Sequence, residues 1–297
     1  MTLSTRTREW AGFVGLTVMA GALLMSSAST GLAHAEQAQG REGVIWQRGE
    51  EPLRNEPPSI PVEEIIRQFA AREAEFRKAR ENYTYTQTVL VQASDPGGGG
   101  RVEEYRLTSD ILFTDAGKRF EKVTYAPPPT LQMISLTRED SEDLANIQPF
   151  VLTTEDLPQY NLQYVGRQQV DEISTYVFDV EPRRIEKGRR YFQGRIWVDD
   201  EDLQIVKTFG KAVPDLNHGK TGENLFPRFT TYRENIGGDY WFPTYTRADD
   251  LLNFSTGSVR IRMTVRYTNY KQYKVTTRIL SSAPVDPPPV KPPDPLL

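Results

Sequence analysis

The chain has 297 residues, a net charge of −4 and no cysteine. Without cysteine it can form no disulfide, thiolate nucleophile or Cys-based zinc site, and a mildly acidic balance gives no global attraction to nucleic acid. Only one of its two histidines, His218, lies beyond residue 35, so one triad base is available at most and a His-rich metal site is excluded.

The first 35 residues read as an export signal. Arg6 and Arg8 precede an apolar run from Ala11 to Met25, and a small-residue stretch ends in Ala33-His34-Ala35. That order of charged, apolar and small residues predicts a secretory signal peptide over 1–35, cleaved after Ala35. The apolar run is shorter than the ~20 residues needed to cross a bilayer. Residues 36–58 are polar and carry Pro52, Pro57 and Pro58, which predicts a disordered lead-in.

A helix is expected next. Ser59 offers an N-cap, Pro61 suits the first turn, and Glu63 and Glu64 sit near the positive end of the dipole. Val62, Ile65, Ile66, Phe69, Phe76 and Ala79 then recur at helical spacing, so one face is apolar for about five turns. From Tyr83 onward the period changes to two. Strands are predicted at 83–91, 102–113 and 119–125, with a short one near 133–136 and a small acidic helix over 139–147. A run of hairpins follows, with strands at 161–169, 175–181, 191–198, 204–211, 228–235, 240–249 and 259–270. Asp199-Asp200-Glu201-Asp202 and Gly237-Gly238-Asp239 read as tight turns, which make the strands they join antiparallel. Seven prolines after residue 282 predict an extended polyproline tail over 283–297.

One long helix and about ten antiparallel strands imply a mainly β domain over 59–282: a large sheet, curved because a flat one of that width would curl or split, with the helix in its concave face. Few motifs point to chemistry. Gly219-Lys220-Thr221 lacks the glycine and the helix that a phosphate-binding loop needs. No catalytic residue, metal ligand or cofactor is expected, and the chain reads as a non-enzyme. Arg183, Arg184, Lys187, Arg189 and Arg190 crowd one hairpin tip, a solvated loop or a contact for anionic lipid or an acidic partner.

The order of elements, with Gly194-Arg195-Ile196-Trp197-Val198-Asp199, Leu203-Gln204-Ile205-Val206-Lys207 and Phe229-Thr230-Thr231-Tyr232-Arg233-Glu234 before Tyr240-Trp241-Phe242-Pro243, resembles the periplasmic lipoprotein-carrier (Lol carrier-like) superfamily. The resemblance covers roughly residues 60–272. It implies an open half-barrel in the periplasm whose concave face shields acyl chains of lipoproteins during outer-membrane lipoprotein sorting. Relatives of that fold also sense stress or bind partners, so a non-transport envelope module is the alternative. The groove expected from these readings comprises Val62, Ile65, Ile66, Phe69 and Phe76 on the helix, facing Tyr85 and Trp197 on the strands.

Overall fold

The computed structural model describes residues 3–4, 51–114, 117–217 and 223–273. The proposed signal peptide beyond Ser4, residues 36–50 of the lead-in, His218 with Gly219-Lys220-Thr221, and the proline-rich tail lie outside the described residues.

Helix α1 spans Val62–Arg80. Ten strands follow: β1 (Tyr83–Ser94), β2 (Glu103–Phe113), β3 (Arg119–Tyr125), β4 (Tyr160–Val170), β5 (Ile173–Pro182), β6 (Tyr191–Asp199), β7 (Ile205–Val213), β8 (Phe229–Ile236), β9 (Tyr240–Phe254) and β10 (Gly257–Gln272). They form one antiparallel sheet in the order β3-β2-β1-β10-β9-β8-β7-β6-β5-β4. The two end strands, β3 and β4, do not pair with each other, so the sheet stays open. Between β3 and β4 the chain makes a second helix, α2 (Arg138–Asn146), whose Thr137 and Asp140 form a reciprocal capping box. Short strands at Leu3–Ser4, Ser135–Leu136, Leu216–Asn217 and Glu223–Leu225 form a small second ladder.

The two-residue period does what the sequence pattern demands. Along β10, Val259, Ile261, Met263, Val265 and Tyr267 are buried, while Arg260, Arg262 and Arg266 point to the opposite face. Along β1 the inward set is Tyr85, Gln87, Val89, Val91 and Ala93. Gly194 of β6 sits opposite Gly210 of β7. A Cβ on either glycine would collide with the facing strand's backbone, at the carbonyl of Phe209 or of Gln193. A side-chain-free pair lets the two strands coil this closely.

Two expectations at the N-terminal side are corrected. Ser59 does not cap α1; the N-cap position is Pro61, with no side-chain cap bond. The Ser59 hydroxyl instead meets the Tyr176 hydroxyl at 3.0 Å and accepts from Arg167 Nη1 at 3.1 Å. Residues 51–58, expected to belong to a disordered lead-in, lie against the free edge of β4. Arg54 and Arg167 exchange two backbone hydrogen bonds of 2.8 and 2.9 Å, and Gln168 donates to the Glu51 carbonyl at 2.6 Å. An uncovered strand edge is a liability, and this segment caps one of the two. Composition predicted disorder because it cannot register an unpaired edge waiting elsewhere in the fold.

The convex face has an apolar cluster of its own. Val177, Trp197 and Val206 are buried there with Leu53, Val165, Val170, Ile173, Phe209 and Trp241 against them. Leu53 belongs to the edge-capping segment, so the segment contributes to this cluster as well as to the β4 edge. Deleting residues 51–58 is expected to cost about 2–4 kcal/mol, from one partly buried leucine and two strand hydrogen bonds. Denaturant unfolding of the deleted and intact chains checks this.

Candidate functional site

The concave face is covered by two elements, α1 and the segment 131–157. On α1, Ile65, Phe69 and Phe76 are fully buried, with Val62 and Ile66 half-buried beside them. Phe69 packs against Phe178 of β5 (centroids 5.8 Å apart), and Phe76 meets Phe242 of β9 edge-on at 5.2 Å. The segment 131–157 buries Ile134, Ile147, Phe150 and Leu152 in the same cluster, with Phe150 stacked on Phe192 of β6 at 4.3 Å. The concave face is therefore occupied by the protein's own side chains.

One residue of the buried helix stripe is charged. Glu73, four residues after Phe69 and three before Phe76, has no exposed surface. Its carboxylate accepts from both terminal nitrogens of Arg233 on β8 (2.8–3.2 Å) and from the Ile205 backbone N–H at 3.2 Å. Arg233 is equally enclosed, and it also donates to the Phe150 carbonyl and lies 5.0 Å from the Phe76 ring centroid. This single guanidinium thus ties α1, β8 and the segment 131–157 together. A second bond joins β8 to the segment 131–157, from the Thr231 hydroxyl to the Gln148 carbonyl at 2.9 Å.

Sequence reading missed this pair. The available signal was a glutamate on an otherwise apolar helix face, with an arginine sharing the inward parity of Phe229 and Thr231.

Toward the other end of the sheet the interior becomes phenolic. Tyr85 stacks on Tyr270 at 5.1 Å and lies 6.2 Å from Tyr267. The Tyr267 hydroxyl lies 3.2 Å from Thr246 Oγ1, and the Tyr270 hydroxyl donates to the Pro243 carbonyl at 2.6 Å. Burial drives both phenols well above their ordinary range, and it pushes Tyr160 up to about 12. All three stay neutral at any physiological pH.

Of the strand residues expected to face the helix, Tyr85 does lie in the main cluster under it. Trp197 does not. It points to the convex face, where its indole N–H donates to Gln168 Oε1 at 2.7 Å and Lys207 Nζ sits 4.4 Å from its ring. Its neighbours Ile196 and Val198 face the concave core instead. Residues 196–199 and 205–208 are buried without a break because both faces of the sheet are covered here. Alternation carries no facing signal in such a run.

The basic hairpin tip is also partly consumed by the fold. Arg190 forms a bidentate pair with the fully buried Asp143 of α2 (2.9 and 3.1 Å) and lies 3.5 Å from the Phe226 ring centroid. Arg189 binds Glu186 at 3.0 Å and Gln159 at 2.9 Å, and Arg183 donates to the Tyr160 carbonyl at 2.9 Å. Arg184 and Lys187 are exposed. The turn Asp199–Asp202 forms a hairpin as expected, with Asp200 paired to Arg167.

No protein-family model and no curated protein sequence matches the chain. Solved structures that resemble it include a DUF1329 family protein from Desulfovibrio piger, with 14% identity over 73% of this chain and 95% of that one and a TM-score of 0.38. A LolA superfamily protein, NE2245 from Nitrosomonas europaea, has 14% identity over 73% and 96% and a TM-score of 0.31. MucB in complex with MucA(peri) has 11% identity over 70% and 94% and a TM-score of 0.21.

The Glu73–Arg233 pair has a distinctive mutational signature. Removing either partner alone leaves a buried charge without its counter-ion and is expected to cost about 3–5 kcal/mol. The double variant Glu73→Leu with Arg233→Met removes both charges and should recover much of that loss. A double-mutant cycle by denaturant unfolding reads the coupling directly.

Proposed function

We propose that this is a periplasmic binding protein of the carrier type, in which the concave face takes the acyl chain of a lipid or lipoprotein during outer-membrane lipoprotein sorting. The observation that carries the reading is the cover itself. An amphipathic helix packs Ile65, Phe69 and Phe76 into an open sheet and carries one fully buried ion pair to it. The sheet surface under α1 is apolar, with Phe178 meeting Phe69 and Phe242 meeting Phe76 of the helix. Lifting the helix would offer an aliphatic chain a surface of matching chemistry. Entry would follow displacement of α1, with Val62, Ile65, Ile66, Phe69, Phe76 and Tyr85 as the groove. Trp197, on the other face, would have no part in it. No helix among the described residues is long and apolar enough to cross a membrane. The basic tip, through exposed Arg184 and Lys187, would meet anionic headgroups during delivery.

A second reading is favoured by a different observation. Edge strand β3 is unpaired on its outer side and carries Phe120, Val123 and Tyr125, each more than half exposed. Such an edge can take an extended segment of a partner by strand addition. On that reading the packed concave face is permanent and the protein is an envelope interaction or stress-sensing module.

Native mass spectrometry after purification from the envelope, with lipid extraction, separates the two. The carrier reading expects co-purifying acylated species and saturable binding of a fluorescent fatty acid. It further expects Glu73→Gln, which weakens the tie on α1 without changing its volume, to speed probe uptake several-fold. Phe69→Ala should change probe affinity at matched folded fraction. Absence of both bound lipid and saturable probe binding would leave the interaction module standing.

A further inference from the structure

A cleft of about 240 Å³ opens between the C-terminal turn of α1, the stretch 146–151 and the base of the basic hairpin. Four arginines line it: Arg77, Arg80, Arg189 and Arg190. Three of them are already neutralised. Arg77 pairs with Glu155 at 2.7 Å and with Asp156 at 3.3 Å, Arg189 with Glu186, and Arg190 with Asp143. Asp156, the carboxylate in the wall, is further satisfied by the hydroxyl and backbone N–H of Thr153.

Arg80 is different. It forms no ion pair among the described residues, and its Nε is buried with no hydrogen-bond partner. Its guanidinium lies 5.9 Å from the Phe76 ring centroid. The carboxylate nearest in kind, Glu73, is committed to Arg233, and Arg233 adds repulsion to the burial that disfavours the Arg80 charge. The negative end of α1 offsets part of that charge but gives Nε no acceptor. A donor enclosed without an acceptor, such as this Nε, is costly, and a guanidinium fork matches the oxygens of a phosphate group.

We propose that the cleft is an oxyanion site in which Arg80 is the anchor and one phosphate group, free or as a phospholipid headgroup, is the ligand. The charge balance sets the stoichiometry: with the other three arginines paired, one guanidinium is left for one anionic group. The site stands on Arg80 alone; only its lipid source rests on the acyl-carrier reading.

Isothermal titration of the full chain tests it, with inorganic phosphate, dihexanoyl phosphatidylglycerol and dihexanoyl phosphatidylcholine as probes. Phosphate or phosphatidylglycerol should bind saturably, and Arg80→Gln should weaken that binding at least ten-fold, while Arg106→Gln, at an exposed arginine of β2 outside the cleft, leaves it unchanged. The melting temperature of ligand-free Arg80→Gln should equal or exceed that of the parent, which a merely structural arginine would not allow. Arg80→Lys, which keeps the charge without the fork, should fall between the two.

Phosphate binding without lipid binding keeps the site and removes its lipid source. Equal binding of both lipids with no effect of Arg80→Gln keeps the acyl reading and overturns the oxyanion site. Absence of phosphate and phosphatidylglycerol binding, or unaltered binding by Arg80→Gln, also overturns it.

Discussion

Glu73 and Arg233 meet in a place that water does not reach, and that fact governs how the rest of the molecule can move. A buried carboxylate and a buried guanidinium are tolerable only while each holds the other. Rotating α1 by one residue, or sliding it by one turn, would carry Glu73 away from Arg233 and strand both charges. The pair therefore sets the helix's register on the sheet more sharply than Ile65, Phe69 and Phe76 could, since apolar contacts are non-directional. Because Arg233 also holds the Phe150 carbonyl, the second cover shares the same tie. The two covers are coupled, so an opening that frees one loosens the other. Any ligand that enters must bind the open state better by at least the cost of separating that pair.

Most of the architecture was readable because its causes are local. Strands such as Arg119–Tyr125 and Tyr191–Asp199 announce themselves through β-branched and aromatic runs between turn residues, and the hairpins between them follow from short connections. The long helix is equally visible, since its 3.6-residue stripe ends where the two-residue period begins at Tyr83. The pairing of β1 with β10 is of another kind. It joins chain segments roughly 170 residues apart, in keeping with the large sequence separation of non-local sheets, and nothing in either strand names its partner.

The site was less legible, and the failures share a cause. Trp197 was read as facing the helix because an uninterrupted buried run contains no parity, and only the covered convex face explains why the run is uninterrupted. Residues 51–58 read as unstructured because their composition is polar, yet a strand edge supplies the hydrogen bonds that their side chains do not. The basic hairpin reads as a solvated or ligand-contacting cationic tip, whereas Arg190 is enclosed against Asp143 of an element 47 residues away. Ionic pairing across such separations is invisible to a local pattern. Arg80 stands out only once the other three arginines of its cleft have found their partners.

The central claim is that ligand entry requires α1 to leave the concave face. The chain has no cysteine, so two introduced at Arg72→Cys on the outer side of α1 and Glu234→Cys on β8 can be spin-labelled without background. Both positions are exposed. Double electron–electron resonance then reports the helix-to-sheet distance with and without a bound fatty acid. A narrow distribution in the ligand-free protein that shifts to longer distances as the acyl chain binds is the predicted result. An unchanged distribution at saturating, independently verified binding would contradict the account, because the ligand would then sit somewhere that the helix does not cover.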